Sequence, residues 1–313
     1  MILSKLVSIV TLAVPVLSVN AAQHFWVEPK NNNLKDVVVA NDVAGGADGI
    51  YTYSFGGTLQ RHSNWNVGDF SHLNTPNPLS DFQASINPNG YGSTSVQKQG
   101  AQVTLHLHSY SLPTPSPMGW YYMGWGHQIN KKPWAGQFGS NPKMCLEHSE
   151  TVVDSYNEGA VFYNGVALWL MDKNGRQFHY SIKSWDSRWP NLNMDESAFY
   201  DEGISGYYVG TAYAESSNFL SLMPFSHSVN GSKGENLKWY GMCISKAQLS
   251  AAINAMNSKN GNSQTHLDLD AGNYEVTGLQ ISSEIGNLST PFLQRGAGWY
   301  TSRFAGIHLY TDY

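Results

Sequence analysis

Period-two alternation of apolar and polar residues runs through the middle and the end of the chain. In AQVTLHLHSY, Val103, Leu105 and Leu107 alternate with Gln102, Thr104, His106 and His108. That is the signature of a strand with one buried face. RQFHYSIKSW repeats the pattern: Phe178, Tyr180 and Ile182 form an apolar row, and Gln177, His179, Ser181, Lys183 and Trp185 form the opposite one. In GLQISSEIGN, Leu279 and Ile281 oppose Gln280, Ser282 and Glu284. The β-prone run AVFYNGVALWLM (160–171) reaches RQFHYSIKSW through DKNG (172–175), a hairpin signature. Further strands are predicted at 36–40, 50–55, 91–97, 144–154, 207–214, 218–223 and 237–244, and over the closing RFAGIHLYTDY.

One segment follows helical spacing instead. Ser245 with Gln248 forms a capping box, Leu249, Ala252, Ile253 and Met256 recur on one face, and Asn260-Gly261 supplies the stop. This predicts a single short helix at about 246–259. Residues 111–143 are broken by Pro and Gly and read as a long loop carrying Trp120, Tyr121, Tyr122, Trp125, Trp134 and Phe138. Many strands, tight turns and one helix predict an all-β fold, an antiparallel β-sandwich of the jelly-roll kind.

Composition narrows the class. The first residues, MILSKLVSIVTLAVPVLSVNAAQ, hold one lysine, an apolar run and small residues at a cleavage position. About 14 apolar residues are too few to cross a ~30 Å hydrocarbon layer, so residues 1–21 read as a secretory signal peptide. Residues 22–313 then form one exported β-sandwich domain with no membrane span. Charged residues make up 13% of the chain, against ~25% in typical globular proteins, while aromatics are abundant. The net charge of −5 leaves no basic footprint for nucleic acid. Cys145 and Cys243 admit one disulfide across the fold in an oxidising compartment, or two buried thiols.

The candidate chemistry lies on the outward rows. Gln280, Ser282 and Glu284 share one face, as do Gln177, His179, Ser181, Lys183 and Trp185. If both rows line one groove, a carboxylate, an imidazole and an indole face a sugar chain together. Trp185 would stack on a pyranose and its polar neighbours would take the hydroxyls. Trp120 and Trp125 of the long loop would flank the groove. Glu147, in MCLEHSETVVDSYNEG, is the candidate partner carboxylate for Glu284 in acid/base hydrolysis. The competing reading of each row is a solvated polar stripe. Asp186 and Arg188 read as a pair at a strand end. His106 and His108 share a strand face without a third ligand, and DLDAGN (268–273) and DKNG lack EF-hand spacing. No metal or cofactor is therefore predicted, and the expected partner is a polysaccharide or glycan.

The segment YEVTGLQISSEIGN, followed by the strand FAGIHLY, resembles the C-terminal strands of concanavalin A-like jelly rolls, family-12-type endoglucanases in particular. The resemblance implies an acid/base role for Glu284. The strand that would carry the nucleophile in that family corresponds to AVFYNGVALWLMD, which offers Tyr163, Asn164 and Trp169 but no Glu. Polysaccharide lyases on similar sandwiches use Tyr, His, Gln and Arg, for which Tyr163, His179 and Gln280 are the available parts. Glycosidase, lyase and non-catalytic lectin or matrix protein stay open at this point.

Overall fold

A computed structural model describes residues 22–27, 36–42, 51–54, 60–61, 82–86, 94–99, 102–108, 120–157, 160–188, 197–201, 206–211, 217–228, 230–286 and 298–313. For the strands within 36–61, for 82–86, for 120–128 and for 206–211 the description is of the backbone. In chain order the strands are β1 (Gln23–Val27), β2 (Asp36–Asp42), β3 (Tyr51–Ser54), β4 (Gln60–Arg61), β5 (Phe82–Ile86), β6 (Thr94–Gln99), β7 (Gln102–His108), β8 (Trp120–Lys131), β9 (Lys143–Asn157), β10 (Val161–Met171), β11 (Gln177–Asp186), β12 (Ser197–Asp201), β13 (Gly206–Thr211), β14 (Ser221–Leu222), β15 (Lys238–Ser245), β16 (Glu275–Gly286) and β17 (Gly298–Asp312). One helix, α1 (Lys246–Lys259), follows β15.

Two sheets result. One has the order β14-β15-β9-β17-β7-β6-β5, with β1 also paired to β17; the other has the order β12-β13-β11-β10-β16-β8-β2-β3-β4. Among the described strands the pairing is antiparallel except between β11 and β13. The long β17 carries β7 along Trp299–Ala305 and β1 along Leu309–Asp312. The fold is thus the antiparallel sandwich that the alternation predicts, with one parallel neighbour that it does not.

The apolar rows close on each other. Leu105, Leu146, Phe304 and Leu309 from the first sheet join Val166, Leu168, Tyr180, Ile182 and Ile281 from the second in a single buried cluster. Helix α1 turns Leu249, Ala252, Ile253 and Met256 into the same cluster. Its capping box is complete: Ser245 Oγ accepts from the Gln248 backbone N–H at 3.2 Å, and Gln248 Oε1 accepts from the Ser245 N–H at 3.0 Å. Two of the donors left over at a helix start are satisfied in this way. In the β10–β11 turn, Asp172 Oδ1 accepts from the N–H groups of Asn174 and Arg176 at 2.7 and 2.9 Å. Gly175 takes a φ of 80° there, which costs a residue with a Cβ.

Three expectations are corrected. Residues 120–131 are not a loop: β8 is an internal strand between β16 and β2. Gly124 and Gly126 read as breakers, but inside a ladder bonded on both edges the neighbours fix the backbone. Trp134 and Phe138, expected among the aromatics of that long loop, are buried residues, and Trp134 Nε1 donates to the Ile244 carbonyl at 2.9 Å. Cys145 and Cys243 do form a disulfide, but it does not span the fold. They are register partners on the adjacent strands β9 and β15, with Cα atoms 4.1 Å apart. Residues 1–21, expected to be a signal peptide, lie outside the described residues.

Candidate functional site

The second sheet carries the two polar rows on one face. β10 lies between β11 and β16, and the register sets residues side by side across the three strands. Asp186, Tyr163 and Glu284 form one rung. Lys183, Gly165 and Ser282 form the next, then Ser181, Ala167 and Gln280, then His179, Trp169 and Gly278. The inward residues of the same strands, among them Ile182, Val166 and Ile281, are buried in the core, so these rungs face away from it. On the central strand β10, Gly165 and Ala167 give the middle rungs almost no side chain. The result is a low floor with Tyr163, Lys183 and Glu284 at one end and Trp169 and His179 at the other.

Glu284 is held on both oxygens. The Tyr163 hydroxyl makes a short hydrogen bond to Oε2, and Ser282 Oγ donates to Oε1 at 3.2 Å. From behind, the hydroxyl of fully buried Tyr300 lies 2.9 Å from the Glu284 carbonyl oxygen and 3.0 Å from that of Tyr163. One hydroxyl of the opposite sheet thereby ties down the backbone of this rung on both strands.

Lys183 completes the cluster. Its Nζ lies 3.9 Å from the centroid of the Tyr163 ring, within range of a cation–π contact. Burial depresses the Lys183 pKa; Glu284 and Asp186 draw it back up, and Arg188 lowers it. Asp186 is itself fully buried and occupied by Arg188. Its Oδ1 accepts from Arg188 Nε at 2.9 Å and its Oδ2 from Nη2 at 2.5 Å. This is the pairing that the sequence suggests. At the far end, the His179 ring lies 4.8 Å from that of half-exposed Trp169. Burial pushes the His179 pKa down to about 4, so the imidazole is neutral at pH 7.

Several expected site residues stand elsewhere. Trp185 is not in the outward row. The β10–β11 register passes from Asn164↔Trp185 to Gly165↔Lys183 and leaves Ser184 unpaired. This β-bulge resets the alternation by one residue and turns the indole inward. Trp185 is 3% exposed, stacks on Tyr300 and donates Nε1 to the Ser232 carbonyl at 3.0 Å. Gly165 marks the spot, since a Cβ there would lie 2.8 Å from the Ile182 carbonyl oxygen.

Glu147 does not face Glu284. It sits on β9 in the other sheet, between buried Leu146 and His148, and so points out of the opposite side of the sandwich. There it accepts a hydrogen bond from Tyr310 at 2.6 Å. Gln177 is exposed at the hairpin end of β11. Gln280 holds its register position beside Ala167, and Trp120 and Trp125 are paired with Gly286 and Ile281; the side chains of these three lie outside the described residues. Sequence reasoning missed Tyr300 as a support and Trp169 as a wall. Trp169 was findable, because it follows Tyr163, Gly165 and Ala167 at period two.

No protein-family model and no curated protein matches this chain. Among solved structures it is similar to the family 11 xylanase from Neocallimastix patriciarum, at 10% identity and a TM-score of 0.34, over 74% of this chain and 90% of that one. A native family 12 xyloglucanase from Bacillus licheniformis matches at 7% identity and a TM-score of 0.30, over 87% and 98% of the two chains. Endoglucanase 3 from Trichoderma harzianum, of family GH12, matches at 11% and 0.28, over 72% and 93%. At such scores these likenesses say nothing about activity, and the chemistry rests on the residues themselves.

Proposed function

We propose that this chain is an exported enzyme that cleaves a polysaccharide lying along these rungs, which would serve as its trough, with the Glu284–Tyr163 pair as its proton-transfer group. The observation that carries this reading is that pair, set on the outward face beside the Lys183 ammonium. The Glu284 carboxylate, hydrogen-bonded to the Tyr163 hydroxyl, is placed to take the phenol proton. The ammonium over the ring favours the negative charge that the ring then acquires. The disulfide supports export to an oxidising compartment.

Hydrolysis by two carboxylates finds little support. Glu147 faces the other side, and Asp186 is buried and paired with Arg188. Elimination on a uronate suits the residues better. Once its own proton has passed to Glu284, the Tyr163 oxygen takes the proton beside the uronate carboxylate, the bond to the leaving sugar oxygen breaks as the double bond forms, and that oxygen takes up the proton that Glu284 received. Lys183 would face the substrate carboxylate, and Trp169 would stack on a neighbouring sugar.

The test is incubation with a panel of neutral and uronate polysaccharides, reading both reducing ends and ultraviolet-absorbing unsaturated ends. Elimination produces both, hydrolysis only the first. Glu284→Gln should remove either product and leave binding in place; a fully active Glu284→Gln protein would sink the assignment. The absence of a second available carboxylate among the described trough residues also favours a second reading, a lectin. In that case no polysaccharide is cut, while Trp169→Ala still weakens retention on an immobilised glycan.

A further inference from the structure

Directly behind the Tyr163–Glu284 rung the core turns polar. Asn164 and Ser283, next to those residues on β10 and β16, are register partners. Asn164 Oδ1 accepts from Ser283 Oγ at 3.0 Å and, across the sandwich, from Ser302 Oγ at 2.8 Å. Ser184, the bulge residue, donates to Glu150 Oε2 at 2.6 Å and lies 3.5 Å from the Asn164 carbonyl oxygen. His148 Nε2 is 3.0 Å from the same Glu150 oxygen. His148, Asn164, Ser184, Ser283 and Ser302 are 0% exposed and Glu150 is 1% exposed.

Three atoms of this layer find no partner among the described residues: His148 Nδ1, Glu150 Oε1 and Asn164 Nδ2. Buried polar atoms are almost always hydrogen-bonded, to protein or to ordered water. Their requirements also interlock. His148 meets a carboxylate through Nε2, so Nε2 is its donor, and in the neutral ring Nδ1 is then an acceptor. Glu150 Oε1 is a second acceptor. Asn164 Nδ2 is a donor. A water molecule donates two hydrogen bonds and accepts up to two, which is the complement of this set.

We infer that the sandwich holds an interior water site in this layer. One water, or a chain of two, donates to His148 Nδ1 and Glu150 Oε1 and accepts from Asn164 Nδ2. His148 and Glu150 stand on β9 of the first sheet and Asn164 on β10 of the second, so the water completes a polar tie between the sheets at the rung that carries Glu284. The inference stands on burial and hydrogen-bond chemistry, independently of the enzymatic reading.

A high-resolution crystal structure of the mature protein tests it. Density within hydrogen-bond distance of at least two of the three atoms is expected. Water-oxygen magnetic relaxation dispersion on the same protein in solution should count one or two long-lived interior waters more than in Asn164→Leu, which removes the donor and fills the space. If Asn164→Leu does not fold, Glu150→Leu gives the same comparison. A dry layer would overturn the inference, and so would a flipped Asn164 amide or rotated His148 ring that satisfies all three atoms within the protein. An unchanged water count in a folded variant would do the same.

Discussion

Two glutamate–tyrosine pairs among the described residues, one on each outer face, are not equivalent. Glu284 with Tyr163 lies on the nine-stranded sheet, and Glu147 with Tyr310 on the other. Both tyrosines are largely buried and both hydroxyls reach a carboxylate. The difference is the charge around the ring. Tyr163 has the Lys183 ammonium over its face, and Glu284 has a second donor in Ser282. Among the described residues no cation lies over the Tyr310 ring. Burial, the hydrogen bond to Glu147 and the nearby charges of Glu147 and Asp312 all raise its pKa. The Tyr310 phenol therefore keeps its proton and serves as a fixed donor, whereas the Tyr163 ring has a cation against its face. The same two residue types make a structural tie on one face and a candidate acid–base pair on the other.

Exchanging the carboxylates breaks this comparison most directly. Glu284→Gln should lower turnover by about 10²–10⁴-fold, the usual worth of a positioned acid–base group, while Glu147→Gln should leave turnover within about twofold. Equal losses in the two variants would show that neither face is special. Tyr163→Phe separates the roles further. It keeps the ring under Lys183 and should lose turnover nearly as completely as Glu284→Gln, with little change in thermal stability.

Trp185 distinguishes the trough from the core behind it. As an indole packed on Tyr300 and bonded to the Ser232 carbonyl, its loss in Trp185→Ala should cost about 3–5 kcal/mol of stability, the range for emptying a large core site. A denaturant titration measures this through its midpoint. A near-neutral result, together with weaker glycan retention, would return Trp185 to the groove.

The case of Trp185 shows what the sequence could and could not convey. Apart from β1, β4, β5, β8 and β12 the strands were legible, as were the β10–β11 hairpin, the capped helix and the inward rows of β7 and β11, because each is encoded in a short local stretch. That β11 and β16 would share one face, with β10 between them, depends on strand order, and alternation carries no information about that. The bulge at Ser184 is set by how β10 and β11 pair, so the alternation ran one residue too far and put Trp185 outside. Strand β8 was hidden for a related reason. Its glycines signal a loop in isolation and are held extended only by the ladders on both sides. Tyr300 had no local signal, since its role is to meet carbonyls of the opposite sheet.

His179 gives a pH-dependent view of the same face. Its folded pKa of about 4 lies below the ~6.5 of an unfolded chain. Between those values the unfolded state binds more protons, so stability is fully present above about pH 6.5 and falls as the pH drops toward 4. The loss is bounded by about 3 kcal/mol. His179→Gln should flatten this part of the profile when urea midpoints are compared at pH 7, 5.5 and 4.5. Parallel profiles for wild type and variant would mean that the imidazole is more hydrated than its surroundings indicate.

The smallest effect is expected at Trp169, and it bears on how the trough is used. Trp169 is 38% exposed on β10, two rungs from Lys183, with its ring beside His179. Little packing is lost in Trp169→Ala, so stability should change far less than in Trp185→Ala. A stacking contact is worth about 0.5–1.5 kcal/mol beyond area burial, which corresponds to roughly 2–12-fold weaker glycan binding. Measured by affinity electrophoresis in gels containing the cleaved polysaccharide, Trp169→Ala should migrate faster than wild type, and Glu147→Gln should match wild type. If Trp169→Ala is retarded as strongly as wild type, the sugar chain does not run along the rungs toward His179. The trough would then be used only at its Glu284 end.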